Sequence, residues 1–125
     1  MMAYEQWLSS ILEVAKETAS REFQKEAWLS GRPSTSSPGE IYNELFDDYN
    51  FDLFFQTYSN AFSPEQLTAW TGFKDELERY LPKIQRLLGE REVFEDPDWQ
   101  VVRDAAASFV AAFERKDHET SIAGQ

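Results

Sequence analysis

The chain has 125 residues, no cysteine, and 23 acidic against 12 basic residues, for a net charge of −11. That length suits one domain able to bury a core without staples. The charge disfavours direct binding to nucleic acid or to an anionic membrane surface, both of which require a basic stripe, and makes a basic protein the natural complement.

Apolar residues at 42% and aromatics at 15% argue against disorder, although a mean hydropathy of −0.58 implies a heavily charged surface. The absence of cysteine excludes disulfides and thiolate metal sites. No run approaches the ~20 apolar residues of a membrane span. Residues 1–14 carry Glu5 and Glu13 with no early base, so they do not read as a signal peptide, and a cytoplasmic protein is expected.

Residues 3–30 predict one long amphipathic helix. Tyr4, Leu8, Ile11, Ala15, Ala19, Phe23 and Ala27 recur in steps of three and four, with Trp7, Leu12 and Trp28 beside them. Glu17 before Arg21 and Glu22 before Lys25 are spaced to support its exposed face. Gly31-Arg32-Pro33 is a stop signal, and 31–37 a polar loop.

Ser37-Pro38-Gly39-Glu40 is a helix start, with Ser37 as cap and Glu40 placed for a capping box. Ile41, Tyr42, Leu45, Phe46 and Tyr49 follow at helical spacing. Asn50 can end that helix, kink it, or cap the next. Phe51, Phe54, Phe55, Tyr58 and Phe62 keep a helical step. Phe51, Leu53 and Phe55 also alternate, but no convincing second strand exists for them to pair with.

Ser63-Pro64-Glu65-Gln66 repeats the start signal. Leu67, Trp70, Lys74, Leu77, Leu81, Ile84 and Leu88 mark one face of the helix that follows. Pro82 is expected to kink it or split it into 64–80 and 82–89, with Gly89 as a stop. Residues 90–95 read as a charged connector anchored by Val93 and Phe94. Asp96-Pro97-Asp98 starts the last helix, which buries Trp99, Val102, Ala106, Phe109, Val110 and Phe113. The expectation is an all-α, compact bundle of four to six helices with no sheet: a single domain over 1–116 and a flexible C-terminal tail over 117–125.

Motifs for chemistry are absent. The one histidine, His118, falls in the expected tail between Asp117 and Glu119, which suits neither a catalytic base nor a zinc ligand. There is no glycine-rich phosphate loop, no Glu-x-x-His pair for a di-metal bundle, and no EF-hand spacing. No catalytic residue, cofactor or metal is therefore assigned, and a non-enzymatic protein is expected.

What stands out is 40–62, where acids and aromatics interleave. No Lys or Arg lies between Arg32 and Lys74, whereas Glu40, Glu44, Asp47, Asp48, Asp52, Glu65 and about half of the aromatic residues do. Carboxylates there set up a one-signed field and can take paired hydrogen bonds from Arg. Tyrosines such as Tyr42, Tyr49 and Tyr58 can bury a ring and still present a hydroxyl. A partner-binding face of Glu44, Asp47, Asp48, Tyr49, Asp52 and Tyr58 is one reading; a solubilising acidic surface is the other.

The run 45–52, Leu-Phe-Asp-Asp-Tyr-Asn-Phe-Asp, the Ser63-Pro64-Glu65-Gln66-Leu67 start and the Asp96-Pro97-Asp98-Trp99 start resemble, over roughly 40–113, small bacterial immunity proteins. Contact-dependent growth-inhibition systems supply many of these. The resemblance implies a monomer that blocks the basic surface of a cognate toxin, often a nuclease. An acidic adaptor or secretion-chaperone-like protein is the alternative.

Overall fold

The computed structural model describes residues 3–86 and 88–123, with side chains described through Glu114. Among these residues the chain is all α, with seven α-helices and no strand: α1 (Tyr4–Ala19), α2 (Arg21–Leu29), α3 (Pro38–Tyr42), α4 (Phe51–Tyr58), α5 (Pro64–Gln85), α6 (Glu90–Glu95) and α7 (Pro97–Ala123). A π-helical turn, Asn43–Asp48, continues α3, and a 3₁₀ turn, Ser59–Ala61, follows α4. Helix α7 is central, packed against α5 and α1.

The expected long first helix is in fact two. Ser20 leaves the helical conformation, and its hydroxyl accepts the Phe23 N–H at 3.0 Å as the cap of α2. The open carbonyls at the end of α1 are covered by Gln24, whose Nε2 donates to Glu17 O at 3.0 Å and Thr18 O at 2.7 Å. The break takes Arg21 out of helical register with Glu17. Its guanidinium lies over the Phe94 ring instead, 4.3 Å from the centroid.

Gln24 is fully buried, and its Oε1 is the hub of a long-range network. It accepts from Trp99 Nε1 at 3.1 Å and from Arg103 Nε at 2.8 Å. The rest of the buried guanidinium donates to Gln100 Oε1 and Phe94 O, each at 2.8 Å. Burial, with Arg21 nearby, lowers the Arg103 pKa to about 10. The network ties α2, α6 and α7 together. It also accounts for 90–95 being helix α6 rather than a connector, because Arg103 holds the α6 carbonyl of Phe94. Val93 and Phe94 are buried as expected.

Two further expectations are corrected in α5. The helix is not split at Pro82 but runs on to Gln85; in the last turn the proline removes the one hydrogen bond its N–H would give to the Glu78 carbonyl and leaves the earlier turns intact. Its buried face is Gln66, Trp70, Phe73, Leu77 and Tyr80, so the stripe keeps Trp70 and Leu77 but exposes Leu67 and leaves Lys74 half-buried. The start signals hold, except that Glu40 does not complete the expected capping box with Ser37. Ser37 caps α3, Ser63 and Gln66 form a capping box, and Asp96 Oδ1 accepts the Asp98 N–H at 3.0 Å. Helix α7 continues over part of the expected tail, to Ala123. The side chains of 115–123, His118 included, and residues 124 and 125 lie outside the described residues.

The aromatic stretch forms the core. Phe51 and Phe54 are fully buried, and Phe51 stacks on Trp70 with centroids 4.0 Å apart. Phe109 and Phe113 of α7 meet Trp70 edge-on. Burial of this kind is worth about 1.5–3 kcal/mol per ring.

Entry to α4 depends on Asn50. It adopts the left-handed conformation at φ 45°, ψ 65°, and its Oδ1 accepts the Leu53 N–H at 3.2 Å. Asn50→Ala loses the cap and strains the backbone together, so a loss of about 2–3 kcal/mol in urea unfolding is expected. Asn50→Gly keeps the backbone relaxed and should cost under about 1 kcal/mol.

Candidate functional site: an acidic ridge

The π turn gives the site its shape. Tyr49 N–H reaches Glu44 O across five residues at 2.8 Å, and the left-handed Asn50 then turns the chain into α4. The result is a ridge, 40–50, with one flank toward α1 and the other toward α5. Asn50 ends the first segment and caps α4, so Asp48 and Asp52 do not lie on one helix.

On the α1 flank, Glu44 and Asp48 face Glu13 and Glu17, with Tyr49 among them. The Trp7 indole N–H of α1 donates to the Tyr49 carbonyl, which fixes the two elements together. Burial raises the Glu44 pKa, and Glu40 and Asp48 raise it further. Glu17 is raised by burial, then by Glu44 and Glu13. The Tyr49 hydroxyl is raised by burial, then by Glu44, Asp48, Glu13 and Glu17. Four carboxylates thus act on one phenol, and none of them has an ion-pair partner among the described residues.

On the α5 flank, Asp47 and Asp52 line an open cleft with Tyr42, Phe46, Glu78 and Leu81. Asp52 is already engaged, pairing with Lys74 at 2.9 Å. Tyr58 lies apart from both flanks, its ring 4.7 Å from that of Tyr4 and 5.0 Å from Phe54. The six residues singled out in the sequence therefore divide into Glu44, Asp48 and Tyr49 on one flank, Asp47 and Asp52 on the other, and Tyr58 in an aromatic cluster. No family model, curated protein or solved structure matches this chain.

Sequence reading missed Glu13, Glu17 and Glu78. A signal for the first two was present, since two acids four apart on one helix share a face. Which face that is follows only from the docking of α1 on the ridge. At the start of α7, by contrast, Asp96 and Asp98 are neutralised. Lys83 bridges Asp96 and Asp98 at 2.9 Å each, and Tyr80 donates to Asp96 at 2.8 Å. Burial works against the Asp96 charge, but the hydrogen bonds from Lys83, the Asp98 N–H and Tyr80 outweigh it and lower its pKa.

Proposed function

We propose that this protein is a non-enzymatic, protein-binding inhibitor of the immunity type. It neutralises a basic toxin, of the contact-dependent growth-inhibition kind, by occupying a surface built to hold nucleic acid. The supporting observation is the uncompensated group of Glu13, Glu17, Glu44 and Asp48 around Tyr49, where burial and like charge raise the pKa of Glu17, Glu44 and Tyr49. Such a group is a cost to the free fold, and a cationic partner removes that cost. Half-buried Tyr49 supplies an amphipathic ring at the centre of the charge.

The adaptor reading has one observation in its favour. An open groove between α5 and α7, lined by Ala69, Gly72, Phe73, Val101, Ala105 and Ala112, suits an apolar segment. Capture from a lysate of the encoding cell, at low and at high salt, separates the readings. The inhibitor reading expects one basic protein in one-to-one ratio, weakened by salt. Many unrelated clients held equally at both salts would sink it in favour of the adaptor.

A further inference from the structure

The cleft on the α5 flank differs in chemistry from the crowded carboxylates on the α1 flank. It is an open concavity of ≈ 500 Å³ between the ridge and α5. Its apolar part comprises Tyr42, Phe46 and Leu81, with carboxylates Asp47, Asp52 and Glu78 and amides Asn43 and Gln85 around them. The rings are held in place. Tyr42 is buried and its hydroxyl donates to Leu77 O at 2.6 Å, while Phe46 stacks on Tyr42 with centroids 6.1 Å apart at 26°. Phe46 is half-buried, unlike the fully buried Phe51 behind it. No Lys or Arg is among the lining residues. The nearby Lys74 is taken up by Asp52, and Asp47 and Glu78 have no ion-pair partner among the described residues.

We infer that this cleft is the receptacle for an arginine side chain of the basic partner. The inference rests on the basic-partner reading above and specifies the residue that the partner inserts. A guanidinium is planar and weakly hydrated, so it can lie on an aromatic face while its edge donates to carboxylates. An ammonium is strongly hydrated and has no flat face. A preformed ring beside two carboxylates that have no ion pair among the described residues, with side-chain amides at the margin, therefore selects arginine over lysine. The crowded carboxylates of the α1 flank attract either cation alike.

The test uses two probes, acetyl-Gly-Arg-Gly-amide and acetyl-Gly-Lys-Gly-amide, titrated at low salt into ¹⁵N-labelled full-length protein. The arginine peptide is expected to shift the backbone amides of Asn43, Phe46 and Asp47 and the side-chain amide of Gln85. It should bind about two- to fivefold tighter than the lysine peptide, the factor an exposed cation–ring contact supplies. Phe46→Leu should abolish that preference. Should Phe46→Leu fold poorly, exposed Asp47→Asn serves instead and should weaken the arginine peptide at the same resonances. Equal affinities with equal shifts, or shifts confined to Glu44, Asp48 and Tyr49, would overturn the arginine site. If that happens while lysate capture still depends on Glu17, Glu44 and Asp48, the partner reading stands and only the cleft assignment falls.

Discussion

Gln24→Ala is expected to cost about 3–5 kcal/mol of stability, far more than an average surface amide. The substitution removes the oxygen that holds Arg103 Nε and Trp99 Nε1, and the nitrogen that covers Glu17 O and Thr18 O. Arg103 is 1% exposed, so its charge cannot turn to water when an acceptor is lost. Trp99, at 0%, is in the same position. Breaking one partner of a buried charge costs more than removing the charge altogether. Arg103→Met should therefore lose less than Gln24→Ala, and the double variant less than the sum. Gln24→Glu restores an acceptor for Arg103 but points an oxygen at two carbonyls, so it should fall between wild type and alanine. Urea unfolding of the four variants measures this. A Gln24→Ala loss below about 1 kcal/mol would mean that solvent takes over the network, and that the break at Ser20 has another cause.

The same network shows where sequence reading stops. The starts at Ser37-Pro38, Ser63-Pro64 and Asp96-Pro97 were legible because a cap is decided by residues three apart. The break at Ser20 was not, although its hydroxyl cap is equally local. A serine inside an apolar-periodic run is ordinarily an exposed helix residue. What fixes the break is Gln24, anchored by Trp99 and Arg103 some 75 and 79 positions away. The buried stripe of α5 is a similar case. Leucines suggested Leu67 and Leu81, whereas packing against α7 selected Phe73 and Tyr80, a small rotation that single-helix periodicity does not resolve. Of the phenylalanines in this stretch, Phe51, Phe54 and Phe62 are buried while Phe46 and Phe55 are half-buried, in line with the rule that free monomers rarely expose large apolar patches.

The candidate site was legible in composition and not in arrangement. A run of acids without bases is visible in one dimension. Consecutive helical residues such as Asp47 and Asp48 diverge by roughly 100° in any case, but which flank each one meets depends on how 43–48 docks between α1 and α5, for which the sequence carries no clear signal. Nor does local sequence show that Glu13 and Glu17 complete the α1 flank. Their spacing makes them neighbours, but only the contact between Trp7 and the Tyr49 carbonyl brings that face to the ridge.

Neutralising the α1 flank should move stability and binding in opposite directions, and that opposition separates a binding face from a merely soluble one. In Glu17→Gln/Glu44→Gln/Asp48→Asn no internal ion pair is broken, because none of the three has one among the described residues. Relief of like-charge pairs is worth a few tenths of a kcal/mol each, so the melting temperature at pH 7 should rise by about 2–4 °C. The pH dependence follows from the raised pKa values of Glu17 and Glu44. Above those folded values both groups are charged in either state, and the repulsion is felt in full. As pH falls through them toward the ordinary glutamate value of 4.5 the folded state takes up protons first, so wild type recovers what the variant gained. The difference in melting temperature should therefore shrink steadily across that window. Asp96 runs the other way in both proteins, its lowered pKa giving stability that is lost below 3.8, and so cancels in the difference. Against the partner recovered by capture, the same variant should bind at least about tenfold more weakly at low salt, with a shallower salt dependence. A variant that is more stable and binds undiminished would place the interface elsewhere on the molecule. One that is more stable and binds weakly would show that the chain keeps these carboxylates together, at a cost to its own fold, for the sake of a cationic surface that completes them.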